Sequence, residues 1–107
     1  MPMITIKYDD KKVKDENIVE LGKVVQRIVI EATGIKEVFV YADSPKIKID
    51  VAPIEVFIEM TGRIIEDKTL LLQEIKSKLS EWKKENNFEY PITLTLTPMD
   101  WIFEVDI

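Results

Sequence analysis

Residues 54–60 read Ile54-Glu55-Val56-Phe57-Ile58-Glu59-Met60, and residues 4–8 read Ile4-Thr5-Ile6-Lys7-Tyr8. Each places aliphatic side chains at every second position, the period of a strand with one buried face. The residues downstream of each stretch decide the fold, because the two stretches head similar halves. Sliding one half over the other by fifty residues lays Ile4 on Ile54, Ile6 on Val56, Asn17 on Asp67, Leu21 on Leu71, Val25 on Ile75 and Val29 on Leu79. Strand parity, helix start and helix phase agree together, so we read a duplicated β-α-β unit. Two unrelated units of the same type are the plainer alternative. Further on, the offset lengthens by six and brings Val38 and Val40 onto Leu94 and Leu96.

Working outward, Asn17 with Glu20 three residues on predicts a helix start with a capping box. Leu21, Val25, Ile28, Val29 and Ala32 keep the 3.6-residue period, and Gly34 ends it. Residues 35–42 are rich in β-branched and aromatic side chains and predict a second strand. Asp43-Ser44-Pro45 breaks the chain, after which Ile47, Ile49 and Val51 alternate with Lys46, Lys48 and Asp50 as a short edge segment. Beyond the third strand, Gly62-Arg63 turns the chain and Asp67 caps a helix running to about Glu85, buried along Leu71, Ile75, Leu79 and Trp82. Ile92, Leu94 and Leu96 alternate with Thr93, Thr95 and Thr97 in a fourth strand, and residues 101–107 alternate as a short terminal one. The expectation is one α+β domain over 1–107, with a first unit at 1–45 and a second at 46–107. Two helices cover one face of a four-stranded mixed sheet in a two-layer arrangement. The ferredoxin-like fold shares this element order, so order alone leaves both open.

Composition narrows the chemistry. The chain has no cysteine and no histidine, which excludes disulfides, thiolates, Ser–His–Asp and Cys–His triads, and zinc sites built on these ligands. A carboxylate-only magnesium or calcium site is the metal option left. The net charge of −5, with Arg27 and Arg63 far apart in sequence, argues against nucleic acid as a partner. No apolar run approaches the length of a membrane span, and the N-terminus lacks the pattern of a secretory signal, so a cytoplasmic protein is expected. Abundant Ile, Lys and Glu lean towards a thermophile.

Pro2 opens the first strand directly after the initiator Met. Removal of that Met, expected beside so small a neighbour, leaves a secondary amine at the end of an ordered strand. An α-amino group titrates near 7.7–8.0, and apolar burial or cationic neighbours lower this further. A ring nitrogen unprotonated at neutral pH is a general base that needs no histidine. The plain reading is a strand-start proline, where a missing N–H costs little, and Pro53 is read only in that way.

Met1-Pro2 leading an Ile-x-Ile strand, Ala32-Thr33-Gly34 closing the first helix, and a second proline-led strand running into Gly62-Arg63 and a helix are similar to the tautomerase superfamily. The resemblance implies a trimer with pockets at subunit boundaries and no cofactor or metal. Pro2 would be the catalytic base, Arg63 and Lys36 would hold the anionic end of a small-molecule acid, and the Thr93, Thr95, Thr97 row would line the trimer centre. In several long members a lysine follows the Ala-Thr-Gly directly; here Ile35 does, and Lys36 comes one place later. Glu55 and Glu59 share a strand face, as a general acid pair or as solvated charges. Trp82 is expected in the core, and Trp101 and Phe103 in the core or an interface. Two rivals to an enzyme are a non-catalytic homo-oligomer of the same fold, in which residues 101–107 extend a neighbour's sheet, and a ferredoxin-like small-molecule-binding module.

Overall fold

The computed structural model describes residues 2–61, 67–100, 102 and 104–107. Its elements are β1 (Met3–Tyr8), α1 (Asp15–Thr33), β2 (Phe39–Asp43), β3 (Ile54–Thr61), α2 (Lys68–Glu85) and β4 (Thr93–Met99). The strands form one mixed sheet in the order β2-β1-β3-β4. β1 runs parallel to β2, β3 runs parallel to β4, and the two pairs meet antiparallel through β1 and β3. A ferredoxin-like sheet needs a hairpin between β2 and β3. Here β1 lies between them, so that arrangement is excluded.

Alternation does the sorting. Ile4, Ile6, Ile54, Val56, Ile58 and Met60 are fully buried, and they share the sheet face that the helices cover. Leu21, Val25 and Val29 of α1 and Ile75 and Leu79 of α2 close the core from the other side. Fully burying one such aliphatic side chain contributes roughly 1.5–3 kcal/mol, so these two stripes dominate the favourable side of folding. Trp82 is buried too and stacks at 5.2 Å on Phe88. No described helix covers the opposite face. There Met3, Thr5, Phe57, Glu59 and Thr95 are half-buried, and Phe39, Tyr41 and Met99 are exposed.

The helix ends divide into one expected and one corrected. Asp67 accepts a hydrogen bond from the Leu70 backbone N–H at 3.0 Å and caps α2 as its sequence predicts. Asn17, by contrast, lies inside α1, which starts at Asp15 after an extended Lys14 that makes no side-chain cap. The loop before it explains the difference. Asp9 O accepts from the N–H groups of Lys12 and Val13, and buried Val13 anchors the turn, so the helix begins a turn early. Asp15 and Glu16 then sit at the positive end of its dipole.

Three other expectations shift. β2 starts at Phe39 rather than residue 35, because Gly34 turns left-handed and the chain needs residues 35–38 to reach the sheet. Residues 46–51 and the described residues beyond Asp100 carry no strand, having no partner strand within the chain. Pairing also corrects the offset between the halves. Ile6 faces Ala42 and Val56 faces Leu94, so Ala42 answers to Leu94, a lengthening of two residues rather than six.

Candidate functional site

The topology gathers four chain segments at one end of the sheet. β1 and β2 begin there, and β3 and β4 end there, because β3 runs against β1. Pro2 stands one residue before β1. Its side chain is less than 2% exposed, and its carbonyl accepts the Phe39 backbone N–H at 3.4 Å, the first link between β1 and β2. Pro2 has the parity of Ile4 and Ile6, so its ring lies on the helix-covered side of the sheet. Carrying the strand registers one step further sets it level with Val38 and Met60, both buried. The proline ring therefore sits in apolar surroundings, the environment that disfavours a charged amine.

The other predicted site residues are less closely placed. Lys36 is exposed, three residues before β2 and so at the same end of the sheet as Pro2. Its position follows from the helix stop: Gly34 N–H bonds Ile30 O at 2.8 Å, and Ile35 N–H bonds Thr33 Oγ1 at 3.2 Å. Ile35 is left half-buried and Lys36 faces water. Arg63 lies outside the described residues, as do Trp101 and Phe103; Thr61, which ends β3, is at the Pro2 end.

Glu55 and Glu59 separate. Four residues apart on one strand puts them about 13 Å apart, too far to share one reacting atom. Glu55 is level with Lys7 and Thr93, whereas Glu59 is level with Met3, Phe39 and Thr97 at the Pro2 end. Sequence reading grouped the two acids by face. Only the pairing register singles out Glu59, a half-buried carboxylate beside the head of β1.

The far end of the sheet is held by polar contacts. Tyr8 Oη donates to Asp15 Oδ1 at 2.6 Å, joining β1 to the first turn of α1. That bond to Asp15, with some burial, pushes the phenol up to about 12. Lys48 bonds Asp10 at 2.9 Å, and Ser44 Oγ accepts the Asp10 backbone N–H at 3.2 Å. These contacts pin the connection between β2 and β3 where it crosses the end of β1. Lys48 is the main reason the Asp10 carboxyl is held below its ordinary value.

Three clefts formed by described residues lie elsewhere. One of about 400 Å³ follows the end of α2, one of about 250 Å³ lies between the helices, and one of about 230 Å³ runs between α1 and β2. Among the described residues no group of three or more acidic side chains is placed to hold a metal ion. No described helix is long and apolar enough to cross a membrane.

No protein-family model matches this sequence, and no curated protein matches it. Solved structures do match in fold. A fused 4-OT solved as an asymmetric trimer is 10% identical at a TM-score of 0.66, over 94% of this chain and 91% of that one. A 5-carboxymethyl-2-hydroxymuconate delta-isomerase is 8% identical at 0.65, over 100% of this chain and 88% of that one. The macrophage migration inhibitory factor of Toxoplasma gondii is 17% identical at 0.65, over 97% of both. The four-stranded mixed sheet with its two helices thus has the tautomerase-superfamily fold.

Proposed function

We propose that this chain is a tautomerase-like isomerase, working in the cytoplasm as a homotrimer on a small 2-oxo or enol acid. The carrying observation is the closed apolar setting of Pro2 at the head of β1. With Met1 removed, the ring nitrogen is a secondary amine whose protonated form is disfavoured by its surroundings, so a fraction is free base at neutral pH. It takes the hydroxyl proton of an enol acid, or a proton from carbon next to the carbonyl of an unsaturated keto acid. The double bonds shift, and the same proton is returned to carbon at the other end of the conjugated system. No cofactor or metal enters this chemistry. Lys36 and Arg63 hold the substrate carboxylate, and a neighbouring subunit completes the pocket.

The fused 4-OT trimer and the delta-isomerase of like fold support this reading. The exposure of Lys36 favours its rival, a trimer of the same fold without catalysis. Intact mass first establishes whether Met1 is gone. Processed protein is then expected to turn over phenylenolpyruvate or 2-hydroxymuconate, and Pro2→Ala to lose at least tenfold in kcat/KM. Absence of turnover by processed protein, or a Pro2→Ala variant as active as the parent, overturns the enzymatic reading.

A further inference from the structure

We propose that Glu59 is the counter-charge to the Pro2 amine and sets the share of it that is protonated near neutral pH. This role rests on the processed N-terminus in the reading above and adds to it the residue that tunes the base.

The strand registers divide the helix-free face of the sheet into levels. At the Pro2 end, one level carries Phe39, Met3, Glu59 and Thr97. The next carries Tyr41, Thr5, Phe57 and Thr95, so neither level brings a cation. Lys7 comes one level further, about 13 Å along the sheet from Glu59. It pairs with Asp43 at 3.2 Å. β4 bears no charged side chain. Glu59 is therefore a half-buried carboxylate flanked by a methionine and a threonine, and among the described residues none forms an ion pair with it.

A carboxylate in that setting is stabilised by any positive charge brought near it. Removal of Met1 creates one. Pro2 directly precedes Met3, the residue level with Glu59 on the adjacent strand. With strands about 4.8 Å apart and about 3.3 Å per residue, the Pro2 nitrogen and the Glu59 carboxylate stand roughly 6–8 Å apart. The Pro2 ring lies on the helix side and Glu59 on the other, so the pair acts through the sheet and not by contact. The medium between them is protein rather than water, which keeps the attraction strong.

Two influences then oppose each other at one nitrogen. Apolar burial of the ring favours the neutral amine, and Glu59 favours the protonated one. Arg63, which lies outside the described residues, is set apart; the other charges at this end stand in water. Lys36 and Glu37 before β2, Glu31 in the last turn of α1, and Asp67 and Lys68 at the start of α2 are all exposed, and salt screens them. Across about 8 Å, at an effective dielectric of about 20–40, the Glu59 charge raises the amine by about one pH unit.

The amine can be read directly. In the full chain labelled with nitrogen-15 proline, processed Pro2 is the one proline of five whose nitrogen titrates, because the rest are amides. Glu59→Gln, of like size and uncharged, is expected to lower that midpoint by at least about half a pH unit. Glu59→Asp keeps the charge and should stay near the parent, as should Glu55→Gln at the other end of β3. The acid limb of kcat/KM should move down with the midpoint, so that Glu59→Gln outpaces the parent about threefold on that limb. An unmoved midpoint overturns this role. So does a Glu59→Gln variant slowed tenfold at every pH with its limb in place, which would mean direct proton transfer by Glu59. A midpoint that falls in protein without turnover supports the counter-charge and overturns the enzymatic reading alone. A Pro2 nitrogen that never titrates, because Met1 is retained, overturns both.

Discussion

Gly34 offers the sharpest test of the backbone reasoning, because nothing but its conformation resists a side chain there. It ends α1 at φ 74° and ψ 3°, in the left-handed region, with its N–H on Ile30 O. A Cβ built on it meets no atom within 4 Å, so packing neither favours nor opposes a substitution. An L-residue held in that region costs about 1–2 kcal/mol. Alanine also narrows the unfolded ensemble, which returns roughly 0.4–1 kcal/mol. Gly34→Ala is therefore expected to lose about 0.8 kcal/mol net, the difference between the midpoints of the two ranges. Asparagine tolerates the left-handed region, so Gly34→Asn should lose clearly less. In urea, with a slope of about 1–3 kcal/mol/M, the Ala variant should unfold at a midpoint lower by roughly half a molar, with slope unchanged. An Ala variant as stable as the parent, or an Asn variant no better than Ala, would refute the argument.

The two helix starts should respond differently to the same change. Asp67→Ala removes a capping acceptor and should cost about 1 kcal/mol, whereas Asn17→Ala, inside α1, should stay within about 0.5 kcal/mol of the parent; thermal unfolding compares them. Tyr8 should ionise late in an ultraviolet titration, near 12, and Asp15→Asn should bring it down. Its folded value lies above the ordinary tyrosine value near 10, so the Tyr8 contribution to stability is full below about pH 10 and is lost as pH rises towards 12. Unfolding measured across that range should show the loss in the parent and less of it in Tyr8→Phe.

Periodicity carried most of the architecture. The strand faces follow from alternation at Ile4, Ile6, Val56 and Ile58, and the buried stripes of the helices from Leu21, Val25, Ile75 and Leu79. Strand order was not legible, because element order is the same for two folds and only the β1–β3 pairing separates them. Asn17 misled because a good capping residue is also tolerated inside a helix, and the Asp9 turn set the start instead. At the candidate site, the sequence singled out Pro2 but not the level at which its ring is buried with Val38 and Met60, and Lys36, expected to hold the substrate, faces water. Glu59 was hidden because one sequence does not say which strand residues share a level across the sheet.

The pinned connection at residues 44–53 has a consequence for how the molecule divides. It is the one covalent tie between two halves that otherwise meet through the six residue pairs of β1 and β3 and the contact of the helices. Lys48 on one side of a nick after Ser44 would still grip Asp10 on the other. Severed there, the fragments would have to find each other by diffusion, so the intact linker acts as a source of high local concentration. A shared ladder rather than a shared hinge would then recreate the whole.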